Sequence, residues 1–353
     1  MKTARARVLI VYTGGTFGMA LRPSGALKIP NISSALLRAR LEEHLPEMNR
    51  LAHCDVEIAM NCDSAHIGPE QWVQIAKLIR SKWKNYDGVV VLHGTDTLAY
   101  TASALSFLLR PCRCPIVLTG AQRPLAAIRT DARRNLVSAI EIAAARFQVS
   151  EGVPNQVMVF FDDHLLQGNR TRKRSASEFD AFETPNDLPL AVVGTEIRYR
   201  ETKSRVRPKR SKLPPVTPVF SRKVAMFHLT PGFPARSIQE GLLSQLDALV
   251  LIAFSSGTGP THDPAFIELI RSARRAQVPV IVVSEGATFG TPSTYAAGRL
   301  LLKLGCQWAG SMTPEAAFVK TSLLMGQPNA HQSFGRLWSA DFAGETGGWE
   351  SGE

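Results

Sequence analysis

The fold can be predicted from two stretches of sequence, Val8-Leu9-Ile10-Val11-Tyr12-Thr13-Gly14-Gly15-Thr16 and Val89-Val90-Val91-Leu92-His93-Gly94-Thr95-Asp96-Thr97. In both segments a run of apolar, mostly β-branched residues stops abruptly at a glycine-containing turn. Such runs are typical of buried parallel strands, and glycine lets the chain leave a strand in a tight turn. Because ligands bind beyond the carboxyl ends of the strands in an open α/β sheet, the two turns are predicted to border a functional site.

Strands and helices alternate outward from these two segments. Helices are predicted over 69–83, 98–109 and 131–147, the last capped by Asp131, and strands over 115–118 and 157–161. This alternation predicts an α/β fold. The larger N-terminal domain, with a mostly parallel sheet flanked by helices, is expected over residues 1–205.

A smaller C-terminal α/β domain is predicted over residues 222–353. Strands are expected over 224–229, 248–254 and 278–283, and helices near Ser237, Asp263 and Thr313. A basic, proline-marked connector, residues 206–221, separates the two domains. The tail after Gly326 is rich in Gly, Ser and Glu and is expected to fray.

Composition limits the classes of protein to consider. The chain has 353 residues, 44% of them hydrophobic, which is enough for two domains with sizeable cores. No apolar run reaches 18 residues, so no membrane span is expected. The run after the basic N-terminus is shorter than a signal peptide requires, and cleavage there would remove the first turn. Five cysteines, few and odd in number, do not suggest a secreted disulfide framework, so a cytoplasmic protein is expected.

Much of the net charge of +11 lies in residues 198–212, RYRETKSRVRPKRSK. Such a segment is typical either of a polyanion-binding patch or of a solvated connector. It contains one aromatic residue, Tyr199, and no RNA-binding signature, which favours the connector. No nucleic-acid partner is therefore expected, and binding to RNA at low salt would indicate the other alternative.

Side chains able to perform a reaction follow both strands. A threonine hydroxyl such as that of Thr16 is a weak nucleophile until a neighbouring group accepts its proton. Thr95 and Asp96 are adjacent, so one can face the reacting group while the other binds a cationic part of the substrate. Backbone N–H groups of the glycine turns could bind a developing oxyanion. The chain has no Gly-x-Ser-x-Gly, His-Glu-x-x-His or Gly-Lys-Ser/Thr motif, and hydrolysis by threonine requires no cofactor or metal.

The two segments resemble the signature motifs of the bacterial L-asparaginases, over Ile10–Thr16 and Gly88–Leu98. AYTASALSF (99–107) is similar to the type I, cytoplasmic branch. The similarity continues through LTGAQ (118–122), GNRTRK (168–173) and FDAF (179–182), and it is weaker in the second domain. This resemblance implies hydrolysis of a small substrate, asparagine with glutamine as a further possibility, to the acid and ammonia through a covalent acyl-enzyme. It also implies a homodimer or homotetramer.

Roles for individual residues follow from the same resemblance. Thr16 resembles the family's acyl-forming nucleophile. Thr95, Asp96 and Lys173 resemble its second triad, in which Lys173 relays a proton and Asp96 also binds the α-amino group of the substrate. The implied substrate contacts are Thr95 and Asp96, together with Asp63, Ser64, Ala65 and Ala121. Of these, Asp63 and Ser64 belong to the loop that holds the α-carboxylate.

Departures from the family pattern leave a second function open. The family's mobile loop after the first threonine carries a tyrosine that pairs with the nucleophile, whereas residues 17–30 contain none. Pro260 stands near the place of an asparagine that reaches the neighbouring subunit's site, and Arg172 replaces a threonine tied to allosteric asparagine binding in some type I enzymes. The alternative is an asparaginase-like protein that binds amino acids with weak or altered amidase activity. Ammonia release distinguishes the two functions.

Overall fold

The computed structural model describes residues 5–21, 27–28, 32–145, 154–200, 216–286 and 295–346. The chain divides into two compact units, one of residues 1–184 with 188–204 and one of residues 185–187 with 205–353. The strands are β1 (Arg7–Gly14), β2 (Ala20–Leu21), β3 (Leu27–Lys28), β4 (His53–Cys62), β5 (Gly88–Leu92), β6 (Ile116–Thr119), β7 (Val157–Phe161), β8 (His164–Gln167), β9 (Arg172–Lys173), β10 (Phe182–Glu183), β11 (Ala191–Val193), β12 (Ile197–Tyr199), β13 (Val224–His228), β14 (Ala248–Ala253), β15 (Val280–Ser284) and β16 (Gln307–Trp308). The α-helices are α1 (Ser34–His44), α2 (Met48–Leu51), α3 (Pro69–Lys82), α4 (Leu98–Leu108), α5 (Ala132–Ala144), α6 (Ala235–Gly241), α7 (Pro264–Arg275), α8 (Ala296–Lys303), α9 (Pro314–Met325) and α10 (Ala330–Trp338).

The first unit is built on an eight-stranded sheet in the order β12-β11-β8-β7-β6-β5-β1-β4. Strands β4, β1, β5, β6 and β7 pair in parallel, and β8, β11 and β12 continue the sheet in antiparallel pairs. The predicted α/β fold with a mostly parallel sheet is therefore confirmed.

The order of the five parallel strands places the two predicted turns side by side. Counted along the chain, the five strands lie in the order 2-1-3-4-5, and the direction of winding reverses between β1 and β5. In an open sheet of this order, ligands bind in the crevice beyond the carboxyl ends of the strands that flank the reversal. Because β1 and β5 are hydrogen-bonded neighbours, the turns after them form the two sides of this crevice.

Burial explains why the two apolar runs form interior strands of the sheet. All residues of 8–12 and 89–92 have no exposed surface. Along β1, Val8, Ile10 and Tyr12 belong to one hydrophobic cluster with residues of α1 and α5. Since alternate residues of a strand face opposite sides of the sheet, Leu9 and Val11 point to the other face. The run before the first turn is thus a strand of the core.

The three predicted helices of the first unit are present and differ from the prediction in one respect, whereas α1 and α2 were not predicted. α3 and α4 lie within the predicted ranges 69–83 and 98–109. Asp131 does precede α5, but its side chain makes no capping hydrogen bond, so that interpretation was wrong. Its carboxylate instead accepts hydrogen bonds from the backbone N–H groups of Gln122 and Arg123. Of the predicted end of this helix, residues 146–147 lie outside the described residues.

The second unit has a parallel sheet in the order β13-β14-β15-β16. Asp263 caps α7 by accepting a hydrogen bond from Ala265, and Thr313 caps α9 by accepting one from Ala316, as predicted. α6 begins at Ala235, slightly before the predicted start near Ser237. The predicted smaller α/β domain with its own sheet is confirmed.

The chain after Gly326 does not fray along its described part, contrary to expectation. It forms α10, and Glu345 beyond that helix is fully buried in an ion pair with Lys320. Residues 347–353, and residues 206–215 of the predicted connector, lie outside the described residues. Within the ranges that the structure describes, no helix combines the length and apolar character needed to cross a bilayer.

Candidate active site

Two glycines shape the turn that follows β1. Gly14 and Gly15 have φ angles of 110° and 81°, which residues with side chains rarely adopt. A Cβ atom on Gly14 would lie 2.1 Å from the carbonyl oxygen of Cys62, and one on Gly15 would lie 2.4 Å from the Cα of Gly94. The first turn therefore packs, backbone against backbone, on the end of β4 and on the turn that follows β5.

The two threonines on either side of this glycine pair have different surroundings. Thr13 is fully buried, and its hydroxyl donates a hydrogen bond of 2.9 Å to the carbonyl oxygen of Leu92 in β5. This bond fastens the first turn to the neighbouring strand. Thr16 begins a short 3-10 helix, Thr16–Gly18, and is half-buried. Thr16 is therefore the threonine of the first turn with surface left for a ligand.

The loop of Asp63, Ser64 and Ala65 lies against the second turn. A Cβ atom on Gly94 would lie 2.7 Å from the Cβ of Ser64, and the Thr97 hydroxyl donates a hydrogen bond of 2.7 Å to the Ser64 carbonyl oxygen. The Asp63 carboxylate accepts a hydrogen bond of 2.9 Å from the N–H of Ala65, which fixes the shape of the loop. The structure thus brings these three predicted residues to the edge of the sheet where both turns lie.

One ammonium group joins Thr95 to Asp96. Nζ of Lys173 lies 2.8 Å from Oγ1 of Thr95 and 2.7 Å from Oδ1 of Asp96. The Asp96 side chain is 67% exposed, so water screens this ion pair and it contributes little to stability. Its importance is geometric, because it holds an amine within hydrogen-bonding distance of the buried Thr95 hydroxyl.

A short antiparallel strand pair carries Lys173 to this position, 78 residues along the chain from Thr95. β9 pairs with β10, and Phe182 lies opposite Lys173. The Phe182 ring packs on that of Phe161 at the end of β7, with ring centroids 4.9 Å apart. The backbone of Lys173 is thereby fastened to the central sheet.

Gln122 is a site residue that the sequence motifs did not single out. The Thr95 hydroxyl donates a hydrogen bond of 3.3 Å to Oε1 of Gln122. Nε2 of Gln122 donates to the carbonyl oxygens of Ser175 at 3.4 Å and Glu178 at 3.0 Å. Ala121, the predicted substrate contact beside Gln122, is buried. A signal for Gln122 was present, because LTGAQ spans the end of the buried strand β6 and the turn after it, as the other two motifs do for β1 and β5.

His93 is buried beneath the second turn in its neutral form. Burial lowers the pKa of His93 to about 4. Its Nδ1 lies 2.7 Å from the carbonyl oxygen of Gly94, so the proton is assigned to Nδ1. Nε2 lies 2.9 Å from the Thr101 hydroxyl, which also accepts a hydrogen bond of 3.1 Å from the Trp72 indole N–H. This chain of bonds supports the turn that carries Thr95.

The arrangement is suited to the chemistry of hydroxyl groups. Thr16 and Thr95 lie on two turns whose backbones touch at Gly15 and Gly94, and Lys173 places an amine beside one of the hydroxyls. Among the described residues there is no group of three or more His, Cys, Asp or Glu side chains that could hold a metal ion.

Comparison with known proteins covers nearly the whole chain. Residues 7–205 match the family model described as "Asparaginase, N-terminal", and residues 223–337 match the "Glutaminase/Asparaginase C-terminal domain". L-asparaginase 1 of Escherichia coli strain K12 is 33% identical over 338 residues, which cover 96% of this chain and 97% of that protein. The 60 kDa lysophospholipase of Mus musculus is 34% identical over 342 residues, which cover 91% of this chain but 59% of that protein.

Solved structures give the same result. The thermostable L-asparaginase of Thermococcus kodakarensis superposes with a TM-score of 0.81 at 30% identity, over 97% of this chain and 99% of that one. L-asparaginase I of Vibrio cholerae O1 biovar eltor superposes with a TM-score of 0.79 at 32% identity, over the same shares of the two chains. The resemblance of the threonine motifs to the bacterial type I enzymes is confirmed, and the chain belongs to the asparaginase family.

Proposed function

We propose that this protein hydrolyses L-asparagine to L-aspartate and ammonia through an acyl-enzyme formed on Thr16. The observation that carries the proposal is the contact of Lys173 Nζ with both Thr95 Oγ1 and Asp96 Oδ1, at the crevice between β1 and β5. Asparagine is supported as the substrate because the relatives named L-asparaginase match nearly the full length of this chain.

In the first step the Thr16 hydroxyl oxygen attacks the side-chain carbonyl carbon of asparagine. A C–O bond forms, and the hydroxyl proton is passed on so that the amide nitrogen leaves as ammonia. The Thr95 hydroxyl and the Lys173 amine, 2.8 Å apart, supply the route for this proton. In the second step water attacks the ester, releases aspartate and restores the Thr16 hydroxyl.

The neighbouring groups are suited to hold the rest of the substrate. The Asp96 carboxylate is largely exposed and can accept hydrogen bonds from the α-amino group. The loop of Asp63, Ser64 and Ala65, held in shape by the bond between the Ala65 N–H and the Asp63 carboxylate, offers the Ser64 hydroxyl for the α-carboxylate. Backbone N–H groups of the glycine turns would bind the oxyanion of the tetrahedral intermediate, and each such donor lowers the barrier by about 3 kcal/mol in comparable enzymes.

Ammonia release from asparagine and from glutamine by the purified protein tests the proposal. Thr16→Ala and Thr95→Val should each lower kcat by at least about a thousandfold and leave the melting temperature nearly unchanged. Thr321→Val, the same change at a buried threonine of the second unit, is the control and should retain turnover. Normal turnover by Thr16→Ala would assign the nucleophile to another residue.

A protein that binds amino acids without efficient hydrolysis is the second candidate function. It is favoured by one feature, the absence of tyrosine from residues 17–30. It predicts that asparagine raises the melting temperature while no ammonia appears. Robust turnover with either amide would exclude it.

We also infer a homodimer or homotetramer in the cytoplasm. Family membership supports the oligomer, and light scattering on the purified protein would test it. The similarity of residues 99–107 to the type I, cytoplasmic branch of the family supports the location. Fractionation of cells that express the protein would test the location.

A further inference from the structure

The start of α5 holds the turn that carries Gln122, here named the glutamine turn (Gly120–Arg123). The Gln122 N–H donates a hydrogen bond of 2.9 Å to Oδ2 of Asp131, and the Arg123 N–H donates one of 3.0 Å to Oδ1. Nδ2 of Asn135 donates to the Gly120 carbonyl oxygen at 3.0 Å and to Oδ2 of Asp131 at 3.3 Å. Both Asp131 and Asn135 are buried, so these bonds replace contacts with water.

Two further bonds complete this support. The Thr130 hydroxyl donates a hydrogen bond of 3.1 Å to the Arg123 carbonyl oxygen. Oδ1 of Asn135 accepts one of 3.1 Å from the N–H of Asp162, which follows β7. We name Thr130, Asp131 and Asn135 the turn clamp. Its polar atoms join the glutamine turn to α5 and to the end of β7.

The glutamine turn in turn contacts the residues that hold Thr95. A Cβ atom on Gly120 would lie 2.3 Å from the carbonyl oxygen of His93, so the two turns touch through their backbones. The Thr95 hydroxyl gives its hydrogen to Oε1 of Gln122 and accepts a hydrogen bond from Lys173. The position of Gln122 therefore determines which lone pair of Thr95 Oγ1 faces the Lys173 amine.

We propose that the turn clamp, above all Asp131, positions Gln122 and through it the Thr95 hydroxyl for hydrolysis. This inference rests on the role of Thr95 in the proposed function. Asp131 is a positioning residue, because its described hydrogen bonds go to the glutamine turn and to Asn135. A small displacement of a reacting group lowers turnover strongly. Substrate affinity depends less on the clamp, because all the implied contacts of the Asp63–Ala65 loop lie outside the glutamine turn and only Ala121 lies within it.

Asp131→Asn is the direct test. The change keeps the shape of the side chain but turns one acceptor oxygen into an amino group that faces a backbone N–H. We expect kcat for asparagine to fall by about tenfold or more while KM stays nearly constant. The control is Asp87→Asn, because Asp87 accepts a hydrogen bond of 2.8 Å from the backbone N–H of Arg7 at the opposite ends of the strands. This control should keep its kcat.

Coupling to Gln122 separates positioning from a loss of general stability. Gln122→Met alone should lower kcat, and adding Asp131→Asn should lower it no further, because both changes act on the same contact with Thr95. Losses that multiply would overturn the proposal. So would a kcat for Asp131→Asn equal to that of Asp87→Asn.

A second variant and one comparison complete the test. If Asp131→Asn does not fold, Thr130→Val removes the bond to the Arg123 carbonyl oxygen at the exposed end of the same turn, together with the bond that the Thr130 hydroxyl accepts from the N–H of Ala132. It should lower kcat several-fold, and an unchanged kcat would contradict the proposal. If Asp131→Asn is fully active while Thr95→Val is inactive, the role of the clamp fails and the proposed function stands. Full turnover by Thr95→Val would instead remove the proposed role of Thr95.

Discussion

Lys173 can act at this site in two ways, as a proton carrier or as a fixed positive charge. Lys173→Met removes both functions, whereas Lys173→Arg keeps the charge in a group that does not give up its proton. If the proton route through Thr95 is correct, both variants should lose about 10² to 10⁴ in kcat. Steady-state ammonia release measures this. Lys82→Met, which breaks an ion pair with Glu57 in the same unit, is the control and should remain active.

His93 makes the stability of the protein depend on pH. Burial lowers its pKa to about 4, from an ordinary value of 6.5. The unfolded chain therefore binds a proton between these two values that the folded chain does not, so stability falls as the pH drops through this window. From pH 7 to pH 5 the free energy of unfolding should decrease by about 2 kcal/mol on account of this residue.

His93→Asn tests this dependence, because asparagine can keep a donor for the Gly94 carbonyl oxygen and does not titrate. Urea unfolding at the two pH values should give a smaller decrease for the variant than for the unchanged protein. Equal decreases would show that the acid sensitivity comes from other groups.

Most of the central sheet could be predicted from local sequence. The strands that could be predicted are β1, β5, β6 and β7, each a short apolar run that ends at a turn. Such strands consist of apolar residues because both faces of the sheet are buried. The short antiparallel strands β8 to β12 were not predicted. Strands of two to four residues are too short to show a periodic pattern of apolar residues. Their positions depend instead on the strands with which they pair.

Residues of the site could be predicted only where reactive side chains directly follow the end of a strand. Thr16, Thr95 and Asp96 fit that rule, whereas Lys173 lies 78 residues from Thr95 and was placed by resemblance to a family. The sequence predicts Asp131 as a helix cap, because an aspartate directly before a helix usually binds the first N–H groups of that helix. Its carboxylate instead binds N–H groups of a turn that precedes it in the chain. No local sequence pattern distinguishes this contact from a helix cap.

The short helix Thr16–Gly18 requires its glycine because of Tyr12. A Cβ atom on Gly18 would lie 2.1 Å from the Tyr12 hydroxyl oxygen. Tyr12 is fully buried, burial raises the pKa of its hydroxyl to about 12, and this oxygen has no hydrogen-bond partner among the described residues. Gly18→Ala should therefore destabilise the protein by about 1 to 3 kcal/mol through overpacking, as measured by urea unfolding.

Tyr12→Phe removes the obstructing oxygen. In that background Gly18→Ala should cost less than it does alone, and a double-mutant cycle measures the difference. Gly335→Ala in α10 is the control, because nothing lies within 4 Å of the added Cβ atom and alanine favours the helix. An equal cost of Gly18→Ala in both backgrounds would contradict the assigned clash.

Each of the two units has its own sheet and hydrophobic core, and the second also contains a fully buried ion pair. The first has a large sheet with buried strands on which the site is built. The second adds a buried ion pair between Lys320 in α9 and Glu345, which lies beyond the matched family model that ends at residue 337. Lys320 Nζ lies 2.6 Å from Glu345 Oε1 and also donates to the carbonyl oxygens of Trp338 and Ala340.

Breaking this pair should destabilise the protein more than breaking an exposed one. Burial alone would raise the pKa of Glu345, but the Lys320 charge holds it below its usual value of 4.5, so the stabilisation is present above that pH and lost on acidification. Glu345→Gln removes the carboxylate that pairs with the buried Lys320 ammonium and that also shares a hydrogen bond with Asp341. The expected cost is about 3 to 5 kcal/mol. Glu268→Gln, which breaks an exposed pair with Arg275, should cost at most about 1 kcal/mol. Calorimetry at pH 7 measures both costs. Lys320→Met combined with Glu345→Gln should melt at a higher temperature than Glu345→Gln alone, because the buried positive charge is then removed together with the carboxylate that paired with it.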